Sequence, residues 1–198
     1  MSLGTARVPD RGLGRFVDRG AVTAAFVGIG MAVTIGVSFL LVIPIEPVYW
    51  YLSVPAGLLI GYYANARSGT RRGAWGRILA NATFAGLATG LTLAALLLGV
   101  KALFFYADGG YPDFNRIDPE TREPIPPFCE SGAGCVYARY LAGDTGADFA
   151  AAGVDDVGEF TSLYWAQQWS TAGLLLALSA GFGVAGGGLY RISRPKSG

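Results

Sequence analysis

Four long runs of mostly apolar residues, at about 20–44, 47–64, 78–106 and 161–190, occupy most of this chain. A helix crossing the hydrocarbon core of a bilayer needs roughly 20 such residues at a rise of about 1.5 Å each, so each run reads as a transmembrane helix. The alternative is a soluble core. With 52% hydrophobic and 15% charged residues and a mean hydropathy of +0.41, a single domain of 198 residues has more apolar surface than it can hide from water. The lipid bilayer is therefore its first expected partner. Pro44 and Pro47, flanking Glu46, divide the first two runs, because proline removes backbone donors and disfavours a continuous helix.

Orientation follows from the basic residues. Arg7, Arg11, Arg15 and Arg19 precede the first run, Arg67, Arg71, Arg72 and Arg77 lie between the second and third, and Arg191, Arg194 and Lys196 follow the fourth. The positive-inside rule puts all three flanks in the cytoplasm. The expected organisation is a cytoplasmic segment 1–19, helices over 20–106 with a basic loop at 65–77, an extracytoplasmic segment 107–160, a fourth helix over 161–190 and a cytoplasmic tail 191–198. Segment 107–160 carries eleven acidic residues against Arg116, Arg122 and Arg139. Aromatic residues gather where the interfaces should fall, with Tyr49, Trp50, Tyr51, Phe104, Phe105, Tyr106, Tyr164, Trp165 and Trp169 at one level and Phe16, Tyr62, Tyr63, Trp75 and Tyr190 at the other. The predicted fold is an all-α membrane protein, a four-helix bundle with a long, partly irregular outer loop between helices 3 and 4. Its expected location is the cell membrane.

The outer loop reads in two parts. Residues 109–128 are rich in proline and turn formers and predict an extended strap. Residues 136–152 predict one or two short helices, and Asp156 with Glu159 predicts a capped helix start before the last run. Cys129 and Cys135 are the chain's two cysteines and fall on the side expected to be oxidising, so a disulfide is the first reading and free thiols the second. No further soft ligands stand near them for a metal.

Small residues recur every four positions: Ala24, Gly28, Ala32 and Gly36; Gly57 and Gly61; Gly86 and Gly90; Gly173, Ala177 and Gly181; Ser179, Gly183 and Gly187. Such rows let helices approach closely where lipid supplies no hydrophobic drive for association. The first reading is that the four helices pack on one another through these rows; the second is that the last run, which carries two rows, docks one against its own bundle and one against a partner. Lys101 is the one charged residue well inside a run. Its stem is expected to snorkel to the outer interface, with a substrate, lipid or partner-carboxylate contact as the second reading. Arg71 and Arg72 are candidates for contact with anionic lipid headgroups.

The chemistry the chain lacks narrows its function. No histidine is present, which removes His-ligated haem, imidazole zinc sites and histidine-dependent catalysis together. No phosphate-cradling loop, paired intramembrane carboxylates or cofactor motif occurs, and a net charge of +1 does not point to nucleic acid. A long outer segment between helices 3 and 4 resembles tetraspanins in outline, but there is no Cys-Cys-Gly motif and the chain is assigned to no family on that ground. Scarce lysine beside abundant Arg, Ala and Gly suggests a prokaryotic genome of high GC content. The expected role is a non-enzymatic accessory or scaffold subunit of a larger membrane complex. The alternative is a small oligomeric channel or transporter component.

Overall fold

The computed structural model describes residues 17–38, 46–68, 74–107, 118, 120–123, 126–129, 131–143 and 146–193. Among these the chain is helical, without strands: α1 (Arg19–Gly36), α2 (Glu46–Arg67), α3 (Trp75–Tyr106), α4 (Ala133–Ala142), α5 (Gly146–Ala151) and α6 (Val157–Ile192). Three of them, α1, α3 and α6, are long and apolar enough to cross a membrane. α2 has 22 residues but is less apolar, with Ser53, Pro55, Asn65 and Arg67 along it.

Contacts between helices fix their directions. Gly20 at the start of α1 lies against Arg67 and Ser68 at the end of α2, Gly187 near the end of α6 lies against Ala82 and Ile78 near the start of α3, and Tyr62 of α2 packs edge-on against Tyr190 of α6. α1 and α3 therefore run one way and α2 and α6 the other. The end where Arg19, Arg67, Arg77 and Arg191 collect is called the basic end. α2 and α3 pack on each other, with α1 on one side of the pair and α6 on the other.

Composition explains that arrangement. The buried positions of α1 are Gly20, Ala21, Ala24, Ala25, Gly28, Ala32 and Gly36, so its inner stripe has no side chain larger than methyl. Five of its large residues, Val22, Phe26, Val27, Ile29 and Val33, are exposed, while Met31 and Ile35 pack against the core clusters. A soluble helix sorts its residues the other way, and large apolar groups outside with small ones inside suit lipid. The core between helices is thin: one cluster holds Ala32, Leu93, Leu97, Ala172 and Leu175, and a second holds Val17, Ala21, Ala24, Ile60, Ala64 and Ala85.

Length separates the helices further. At about 1.5 Å per residue α3 reaches about 48 Å and α6 about 54 Å, more than the roughly 30 Å of a bilayer's hydrocarbon core. The excess of α3 and α6 lies opposite the basic end and carries the small helices α4 and α5. This cap end closes on a third cluster, Phe105, Val136, Val154, Phe160 and Tyr164.

Candidate functional site

The densest structural feature is a seam where α6 crosses α2 and α3. A Cβ built on Gly61 would collide with the Gly183 carbonyl, one on Gly186 with the Leu58 carbonyl, and one on Gly57 would come within 2.7 Å of the Ser179 carbonyl oxygen. From the α3 side, a Cβ on Gly86 would lie 2.6 Å from that same oxygen, and one on Gly90 would lie 3.0 Å from both Leu176 Cα and Ser179 Cβ. Only hydrogen fits at Gly57, Gly61, Gly86 and Gly186, and Gly90 is tightly packed, so three backbones converge around residues 176–187. Between α1 and α3 the approach is backbone to side chain instead: a Cβ on Gly28 would collide with Thr89 Oγ1, and one on Gly36 would lie 2.8 Å from Leu96 Cδ1. Gly20 and Gly186 belong with this set although the four-residue rows omit them. The run Gly186-Gly187-Gly188 hides in sequence which of its members face inward.

Ser179 sits at the centre of the seam, fully buried, and its hydroxyl has no hydrogen-bond partner. Thr89 nearby is also fully buried, but its Oγ1 donates to the Ala85 carbonyl one turn back at 3.0 Å. The opposite face of α6 is different. Gly173, Ala177 and Gly181 are exposed, and a Cβ on Gly173 or Gly181 would meet nothing within 4 Å. α6 thus presents small residues on a covered face and an uncovered one.

A polar node joins three helices at the basic end. Asp18 is the residue before α1, yet its carboxylate does not cap that helix. Its Oδ2 accepts from Ser68 Oγ at 2.6 Å and from Asn81 Nδ2 at 3.1 Å, while its backbone N–H donates to Asn81 Oδ1 at 3.0 Å. Arg77 stands 3.6 Å from Oδ1. Asn65 adds a second bridge, its Nδ2 donating to the carbonyls of Gly61 and Ile78, both at 3.1 Å. The ends of α1, α2 and α3 are thereby tied through charge-assisted and amide hydrogen bonds in a partly buried site.

The cap is built from rings. Phe160, 1% exposed, has the rings of Tyr137, Tyr140, Phe149, Tyr164 and Phe105 around it, the nearest centroid at 5.1 Å. Tyr137 donates its hydroxyl to the Val154 carbonyl at 3.2 Å. Cys129 and Cys135 form a disulfide across the start of α4, and Arg139 Nη2 donates to the Cys129 carbonyl at 3.1 Å. Asp156 caps α6, its Oδ1 accepting from the amides of Gly158 and Glu159, and Glu159 reaches back to the Asp155 amide. On the connecting strap, Asp118 accepts from the amides of Glu120 and Thr121, and these backbone bonds, Thr121 first, hold its carboxyl below the usual range.

Other sequence candidates fall as follows. Lys101 is 3% exposed and lies on the buried stripe of α3 with Leu93, Leu97 and Phe105, each four residues apart. Arg71, Arg72 and most of the predicted strap, residues 109–117 among them, lie outside the described residues. Among the described residues no group of three or more Cys, Asp or Glu could hold a metal. Comparisons with protein-family models, with curated proteins and with solved structures find no match.

Proposed function

We propose that this chain is a non-enzymatic accessory or scaffold subunit of a larger membrane complex, with α2 as a fourth span beside α1, α3 and α6. In this reading the bundle sits in the cell membrane, plasma or inner, with both termini in the cytoplasm and segment 107–160 outside. Support for α2 as a span comes from its packing along α1, α3 and α6 and from the shared level of the four basic helix ends. The acidic segment supplies a second contact surface, and Arg71 and Arg72 a contact for anionic lipid headgroups.

The observation that carries the subunit reading is the uncovered face of α6. Gly173, Ala177 and Gly181 leave a shallow trough where the other outward helix faces carry Phe26, Leu59, Leu91 or Leu103. Lipid tails gain little from such a trough, whereas another helix can bring its backbone into it.

The test is purification from native membranes with an A177C variant cross-linked before solubilisation. A cross-linked partner that co-purifies stoichiometrically is expected. A chain that runs only as a bare protomer, with no adduct at Ala177→Cys, sinks the reading. Solute flux through vesicles holding this chain alone would instead favour a small channel.

A further inference from the structure

The basic end of the bundle holds a second grouping, separate from the Asp18 node. Trp75 opens α3 and Arg191 closes α6, and the Arg191 guanidinium carbon lies 6.0 Å from the centre of the Trp75 ring. Arginine over an indole is held by the ring quadrupole, while its planar fork of donors stays available at the edge. Trp75 is 51% exposed and Arg191 is exposed, so the pair faces outward.

Charge and apolar surface meet there. Arg67, Arg77 and Arg191 are the described basic residues at this end, and the sequence over 66–77 and 187–198 contains no acidic residue. The nearest carboxylate described, Asp18, is engaged by Ser68, Asn81 and Arg77. Along α6, Gly188 and Val184 stand three and seven residues before Arg191 and so share its face. Val184 is partly exposed, and a Cβ on Gly188 would meet nothing within 4 Å. An open apolar track therefore leads from the guanidinium towards the middle of the bundle.

We propose that Trp75 and Arg191 form a binding site for the phosphate-bearing headgroup of an anionic membrane lipid. The guanidinium takes the phosphate, the indole lies at headgroup depth as interfacial tryptophans do, and an acyl chain follows Val184 and Gly188. A free phosphate would use the charge but not the track or the indole. The inference rests on the chain spanning a membrane and not on its being a subunit, so loss of a partner in the cross-linking experiment leaves it untouched.

The test uses the full chain with Trp50, Trp165 and Trp169 changed to Phe, reconstituted in phosphatidylcholine vesicles containing either brominated phosphatidylglycerol or an equal amount of brominated phosphatidylcholine. Trp75 fluorescence is expected to be quenched more by the anionic lipid. R191Q should reduce that preference about fivefold, as expected for one basic residue at a lipid surface. Because the Trp replacements touch the cap, the unaltered chain and R191Q are also compared by native mass spectrometry after delipidation and exposure to equal amounts of the two unbrominated lipids. Retained phosphatidylglycerol on the unaltered chain, with loss in R191Q, supports the site. Equal quenching by both lipids, equal retention of both, or a preference that survives R191Q overturns it. Inorganic phosphate that abolishes the preference, where chloride of equal ionic strength does not, assigns the site to free phosphate and overturns the lipid.

Discussion

Gly61 of α2 and Gly183 of α6 meet backbone to backbone, with no room for a methyl group on Gly61. Packing in this seam is therefore set by main-chain contact, and the loss on widening it should be steep. G61A is expected to destabilise the bundle by about 1–3 kcal/mol, the usual range for an overpacked core. Gly30 lies mid-helix on α1 with nothing within 4 Å of its Cβ position, so G30A should be neutral or stabilising, since Ala is favoured over Gly in a helix by up to about 1 kcal/mol. Thermal unfolding of the two variants in one detergent separates these outcomes. Equal melting temperatures would show that the seam is not tight.

Asp18 gives a second prediction. D18A leaves Ser68 Oγ and Asn81 Nδ2 without their acceptor, and hydrogen bonds to a charged group are worth about 1.5–3 kcal/mol each way they are lost. Arg77, whose side chain is 46% exposed, adds little, because exposed ion pairs contribute under about 1 kcal/mol. R77A should accordingly cost far less than D18A. A double-mutant cycle of D18A with N81A should show coupling of about 0.5–3 kcal/mol, and additive losses would mean the two side chains act independently.

These two sites differ in how far the sequence exposes them. Small residues four apart are visible in the text of α1, where the row Ala24, Gly28, Ala32 and Gly36 lies on the buried stripe. On α6 small residues occur on every side, so the text alone does not say which face α2 and α3 cover. Asp18 is hidden for another reason. Beside Arg15 and Arg19 it reads as part of a solvated flank, and its partners Ser68 and Asn81 are 50 and 63 residues away. The cap shows the same limit. Tyr164 and Trp165 read as interface anchors, but the ring cluster around Phe160 draws on α3, α4 and α5, and only the folded chain brings them together. Long apolar runs made α1, α3 and α6 legible. α2, interrupted by Ser53, Pro55 and Asn65, is a helix whose apolarity falls short of theirs.

Ser179 carries the opposite expectation from Asp18. Its buried hydroxyl lacks a hydrogen-bond partner, and a polar group left in that state costs about 1–3 kcal/mol. S179A removes the hydroxyl while keeping the Cβ that Gly90 accommodates. It should leave the melting temperature unchanged or raise it. A clear fall would reveal a bond made by this hydroxyl and revise the geometry of the seam.

Removing the disulfide should loosen the cap and spare the bundle. The Cys129–Cys135 bridge closes a short loop, for which the chain-entropy model gives about 2.4 kcal/mol. In the C129S/C135S variant, amide exchange is expected to accelerate in α4, next to Val136 and Tyr137, and to stay slow around Gly61, Gly86 and Gly183. Uniform acceleration across the chain would mean that the cap and the bundle unfold as one unit.

The strap titrates in a direction that its hydrogen bonds set. Asp118 is held ionised by the amides of Thr121 and Glu120, so its folded carboxyl has a lower pKa than the unfolded one. A depressed acid contributes stability that is present above its unfolded pKa and is lost as pH falls through the folded value. The turn at 118–123 should therefore stay closed through mild acidification and open only below the ordinary aspartate range. In D118A the amides of Glu120 and Thr121 should exchange faster at neutral pH already, while the backbone bonds of residue 118 to Arg122 and Glu123 remain. Amide exchange or NMR shifts of Glu120 and Thr121 across an acid titration read both effects, at a site far from the seam. A turn that opens above the ordinary aspartate range would show that the carboxylate is not what holds it.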